Sequence, residues 1–240
     1  MRIVSNRKLI RRNARIGYWA SIIGLIFLVA AVALSFLYEA LLGPSLILMA
    51  FGFLISQIGI YYGNRYGRSP RPDELIEGVL KGLDQNYTLY NYASPVAHLL
   101  VGPAGVWALL PKNVKGAISY DERRRRWLQK GGNLYLKVFA QEGIGRPDIE
   151  LNVDSETLRK FLNKVWENGE PPEVNAALIL TYPDTVAVAE NAPYPTLPGV
   201  KVKDFLRKAA KEKRFPDGQI EKVNALFTFV EQDAADPAKS

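Results

Sequence analysis

VAHLLVGPAGVWALLPKNVKG, residues 96–116, is the stretch on which the fold turns. Val96 to Val101 and Val106 to Leu110 each present an apolar row that one face of a strand can bury. Between them, Pro103 presets the backbone of a turn, and Gly105 can take the left-handed conformation that sends the chain back. A β-hairpin is expected here, with Lys112 at the end of its second strand.

This hairpin, together with Lys112, Asn113 and Gly116 behind it, resembles the nuclease-related domain (NERD), a family similar to the PD-(D/E)xK nucleases. The resemblance extends over roughly residues 72–213. It implies an α/β, restriction-endonuclease-like fold, with a mixed sheet flanked by helices. It also implies a site in which an aspartate of the first strand and a glutamate of the second hold Mg²⁺. The lysine two residues after that glutamate would activate water or stabilise the transition state. In this chain the two carboxylate positions read Ala97 and Leu110, and only Lys112 remains. Mg²⁺ requires oxygen ligands, and no Asp or Glu occurs from Gln85 to Tyr120. The expectation is therefore a vestigial site with no cofactor. The alternative is a nuclease with relocated acids, Asp73 and Glu150 beside Lys112, for which Mg²⁺ would be the cofactor.

Upstream, Arg2, Arg7, Lys8, Arg11, Arg12 and Arg15 make residues 1–16 a basic arm without an acid. Residues 17–63 then read as a two-span helical hairpin. From Ile22 to Leu37 there are eleven Leu, Ile, Val or Phe residues, together worth about −3 to −7 kcal/mol on the insertion scale. A second apolar run follows from Leu46 to Tyr62. Basic residues precede the first run, and Arg65, Arg68 and Arg71 follow the second, so the positive-inside bias expects both termini in the cytoplasm. Gly52, Ser56, Gly59 and Gly63 form a small-residue stripe along the second helix. It suits packing on the first helix, with a homo-oligomer contact as the alternative. Gln57 is expected to be a packing contact.

Residues 64–71 read as a linker, residues 72–231 as the α/β domain, and residues 232–240 as a disordered tail. Six of the 31 basic residues lie in the arm and one of the 24 acids, Glu39, in the hairpin. The part from residue 64 onward thus carries 25 against 23 and is nearly neutral. The arm's natural partner is anionic lipid headgroups. The chain has no cysteine and a single histidine, which excludes thiolate metal sites and leaves His98 to core packing.

Within the domain, Pro72-Asp73-Glu74 opens a helix, and Tyr87 to Tyr92 reads as a strand. Residues 117–120 and 125–128 read as a second hairpin, residues 134–139 as a strand, and residues 141–152 as irregular. Asp154 is expected to cap a helix that Gly169 stops, and Val174 to Tyr182 reads as a strand buried on both faces. Residues 186–189 form a short companion strand, and helical faces follow around Val202 and Ile220. The second hairpin carries Arg123, Arg124, Arg125, Arg126 and Trp127. With Lys112 and Lys115 these are the candidate anion or nucleic-acid contacts, guanidiniums on phosphates and bases stacked on the tryptophan. Anionic lipid and a protein partner are the competing readings, and a solvated hairpin is the plain one. The function expected is a membrane-anchored binding or scaffold module.

Overall fold

A computed structural model describes residues 1–131, 143–167 and 169–227. The chain forms two compact units, one of Arg7–Arg71 and one of Met1–Asn6 together with Pro72–Ser240.

The helical unit consists of α1 (Arg7–Leu37), a 3₁₀ turn at Glu39–Leu41, and α2 (Leu42–Tyr62), which continues into a π-helical turn, Gly63–Gly67. Both helices are long and apolar enough to cross a membrane. The outward faces carry large apolar side chains such as Leu25, Val29, Phe36, Leu46, Phe51 and Leu54, all exposed. The seam between the helices is built from absent side chains. A Cβ on Gly59 would lie 2.7 Å from the Ser21 nitrogen, one on Gly24 2.8 Å from the Ser56 nitrogen, and one on Gly17 2.8 Å from the Gly63 nitrogen. The expected stripe on the second helix thus packs on the first, where Gly17, Ser21 and Gly24 form its counterpart. Close backbone approach of this kind holds helices together where water supplies no drive.

The second unit contains α3 (Pro72–Leu80), α4 (Pro147–Val165), α5 (Gly199–Glu212) and α6 (Asp217–Ala225). Its main sheet runs β1 (Arg2–Ser5), β2 (Thr88–Asn91), β3 (His98–Gly102), β4 (Gly105–Lys112), β7 (Val174–Leu180) and β9 (Thr196–Pro198) in that spatial order. A smaller sheet orders β6 (Arg126–Lys130), β5 (Ala117–Asp121) and β8 (Val186–Val188). The central β2–β3–β4 meander is antiparallel, whereas β1, β7 and β9 join parallel to their neighbours. The opening hairpin forms as expected, with Gly102 opposite Gly105 and Gly105 at φ 103°.

Alternation along the strands divides the core in two. Leu99, Val101, Val106, Ala108 and Leu178 pack with Leu151, Leu158 and Leu162 of α4 and with Ile220 and Val223 of α6. On the other face Leu89, Leu100, Trp107, Leu109 and Ile179 pack with Ile76 and Leu80 of α3 and with Val202 and Leu206 of α5. The result is an α/β sandwich with a mixed central sheet.

Several expectations need correction. Residues 2–5 are not part of a free arm: they form the edge strand β1, with Val4 buried in the core. The basic residues from Arg7 to Arg15 belong to α1. The supposed linker at 64–71 begins as the π-helical turn. Residues 147–152 are helical, since Pro147 suits a first helical turn, so Asp154 lies inside α4 and is not its N-cap residue. The helix ends at Val165, ahead of Gly169. The strand expected at 134–139 and the tail at 232–240 lie outside the described residues. The companion strand β8 pairs with β5 in the small sheet.

Candidate functional site

Strand register gathers the C-terminal ends of β1, β2, β4 and β7 and the start of β3 at one end of the main sheet. Two polar constellations form there, on opposite faces.

The first surrounds Lys112, the last residue of β4. Its side chain shares a face with Ala108 and Leu110, the face covered by α4. Lys112 Nζ donates to both Glu150 carboxylate oxygens, at 2.7 and 3.0 Å. Glu150 comes from the first turn of α4, where a carboxylate also gains from the helix dipole. The pair is partly screened by solvent, with the lysine side chain 20% and the glutamate 42% exposed. The sequence alone leads one to expect Lys112 to reach solvent or a bound anion; instead its partner is a carboxylate on α4. Leu110 is half-buried against the core, and Ala97 sits just before β3, its carbonyl accepting from the Tyr92 amide at 2.7 Å.

The second constellation lies on the face of α3. Asn91 is fully buried and His98 is 4% exposed, opposite one another in register. Asn91 Nδ2 donates to Glu77 at 2.7 Å, and Asn91 Oδ1 faces His98 Nδ1 at 2.9 Å. A carboxylate only accepts, so the amide orientation is set. Its oxygen then requires Nδ1 of His98 to carry the proton. Ser5 of β1 also donates to Glu77, at 3.4 Å. The imidazole meets the Tyr92 ring edge-on at 5.1 Å, and Tyr92 holds a left-handed backbone at φ 54°. Asp73, 2% exposed, belongs to the same helix as Glu77.

Of the relocated-acid set, Glu150 and Lys112 meet and Asp73 does not join them: α3 and α4 cover opposite faces, with the sheet between. Among the described residues no group of three acidic or histidine side chains is placed to share a cation. The sequence reading gave Asn91 no role. The available signal was parity, since Asn91 shares the inward face of β2 with Leu89.

The basic hairpin is half as expected. Arg123 to Arg126 are all exposed at the β5–β6 turn, where Arg125 takes φ 47°. Arg124 donates its amide to Asp121 at 3.1 Å. Trp127, however, is 5% exposed, packed in the core with its ring 5.2 Å from Tyr120. It offers no face for a base to stack on, because strand alternation turns it inward while the arginines ride the turn. Lys115 is exposed, with its ammonium 5.8 Å from the Tyr182 ring.

No protein-family model matches the chain, no curated protein is significantly similar to it, and no solved structure matches it.

Proposed function

We propose that this is a two-span, membrane-anchored protein whose α/β unit is a NERD-like, restriction-endonuclease-like module that binds or scaffolds and does not cleave. The observation that carries the reading is the Lys112–Glu150 pair beside Leu110 and Ala97. The lysine of the family pattern is spent on a helix carboxylate, and the strand positions that would hold a cation are apolar. The element order from α3 through the antiparallel meander to α4 and β7 agrees with the order the resemblance implies.

Both ends of the helical hairpin face the cytoplasm in this reading. Basic flanks favour that side. In addition, β1 precedes the hairpin and β2 follows it, yet the two strands pair, which requires a spanning hairpin to return to the side it left. Reporters fused at either end should both score as cytoplasmic.

The test uses the whole chain in nanodiscs, because a fragment starting at residue 64 would lose β1. Titration with Mg²⁺ or Mn²⁺ should show no millimolar binding, and single- and double-stranded DNA and RNA should stay intact. The double change Ala97→Asp with Leu110→Glu should create metal affinity. Cleavage by the unaltered protein that disappears in Lys112→Ala would replace this reading with a metal-dependent nuclease.

A second reading, a regulatory module at the membrane surface, is favoured by the Arg123–Arg126 turn. Exposed guanidiniums without a stacking ring suit phosphate groups better than bases. Changing all four to Ser should weaken salt-sensitive binding to anionic vesicles; unchanged binding would make them solvated residues only.

A further inference from the structure

At the basic end of the helical hairpin a groove of about 810 Å³ opens between α1 and the end of α2. We propose that it holds one anionic phospholipid of the surrounding leaflet. This rests on the hairpin spanning a bilayer, and not on the fate of Lys112.

The groove has two chemically distinct ends. Arg15, Asn64 and Arg68 line one, and Ile22, Leu25 and Ile60 line the other. No Asp or Glu lines it. Arg15 on α1 and Arg68 just past the π-helical turn are both exposed, so a phosphodiester can meet guanidinium donors from two sides. From Arg15 to Leu25 the helix rises about 15 Å. That is half of the ~30 Å hydrocarbon core, the depth that one leaflet's acyl chains fill. A free phosphate ion would meet the guanidiniums only and leave the apolar half without an occupant, whereas a lipid matches both.

The local backbone explains why the groove exists. The Arg68 amide bonds to the Gly63 carbonyl at 2.8 Å, five residues back, making the wide π-helical turn that carries Arg68 round to the groove. Turns of this kind are frequent at functional positions. A Cβ added at Gly67 would meet no atom within 4 Å, so the mouth is open there. Further in, Gly17 and Gly59 draw the helices together and close the floor.

The experiment is native mass spectrometry of the full-length protein released from nanodiscs of mixed phosphatidylglycerol and phosphatidylcholine. One phosphatidylglycerol should be retained in preference to phosphatidylcholine, and inorganic phosphate should not displace it. Arg15→Gln with Arg68→Gln should lower that retention about 30-fold, roughly fivefold per arginine. Gly67→Leu keeps every charge but fills the mouth, and it should lower retention at least fivefold. Lys8→Gln with Arg11→Gln removes two charges outside the groove and should change retention less than twofold. Equal retention of the two lipids, displacement by phosphate, or an equal loss in the Lys8/Arg11 variant would overturn the proposal. Failure to enter nanodiscs at all would overturn the membrane reading with it; entry without lipid preference would overturn the groove alone.

Discussion

Replacing Val4 by alanine tests the least anticipated part of the fold, the strand that precedes the helices. Val4 is 4% exposed, packed in the core on the α4 face, while its neighbour Ile3 points outward at 45% exposure. Neither change removes a backbone bond of the strand, which is flanked by the Arg2 amide on the Tyr87 carbonyl at 2.8 Å and the Asn6 amide on the Asn91 carbonyl at 3.0 Å. The difference between the two alanine variants therefore isolates side-chain burial. Removing two buried carbons costs about 1.6 kcal/mol at ~0.8 per methylene, and the cavity left behind raises this to roughly 2–2.5 kcal/mol. Ile3→Ala should cost about 0.5 kcal/mol or less. For a unit of this size the Val4 change lowers Tm by roughly 4–8 °C. Thermal unfolding of the full chain in nanodiscs can follow the fluorescence of Trp107 and Trp127, both buried in this unit. Equal shifts for Val4→Ala and Ile3→Ala, or no shift for either, would show that β1 is not docked as described.

Three further outcomes follow from the packing and the polar contacts. Gly59→Leu would force a branched side chain against the Ser21 backbone; it should destabilise the helical pair by about 1–3 kcal/mol, read as earlier unfolding in an SDS titration. Asn91→Ala removes the amide between Glu77 and His98 and should cost about 2–3 kcal/mol in urea unfolding, a loss under about 0.5 kcal/mol marking the bridge as incidental. Burial, reinforced by the Asp84 carboxylate, holds the Tyr87 phenol above its ordinary value. The unfolded chain therefore loses this proton first, and stability should fall as pH rises beyond about 10. Tyr87→Phe should flatten that decline, and an unchanged pH profile would rule the residue out as its source.

The hairpin at 96–116 was legible because period-2 alternation and the Pro103–Gly105 turn are local signals that tertiary context had no reason to override. The apolar helices were legible for the same reason. Strand β1 was not: four residues with one inward valine, set among arginines, carry too little pattern to separate a strand from a charged arm. The start of α4 was obscured by the polar run before Leu158, whose helix begins at Pro147 and not at the better capping residue Asp154. At the site, the absence of a carboxylate at Ala97 and Leu110 was plain from the sequence. The partner of Lys112 was legible only as one of two alternative acids: Glu150 meets it and Asp73 does not, because pairing residues 38 apart depends on a helix direction that no motif encodes. Glu77, Asn91 and His98 likewise meet only because β2 and β3 register them under α3.

That the first strand and its partner lie on either side of the helical hairpin has a consequence for how the protein is made. Residues 2–5 leave the ribosome long before Thr88–Asn91; in the two-span reading proposed above they can find no sheet until the whole hairpin has been threaded and the chain has come back. A molecule inserted with its leading end across the bilayer would strand those residues in the wrong compartment, leaving Val4 unburied and the flank of β2 bare. Such an edge is a template for aggregation and a handle for proteolysis. On that reading the docking of β1 makes completion of the α/β unit depend on the hairpin returning to the side it left, and a misoriented copy could not close the unit.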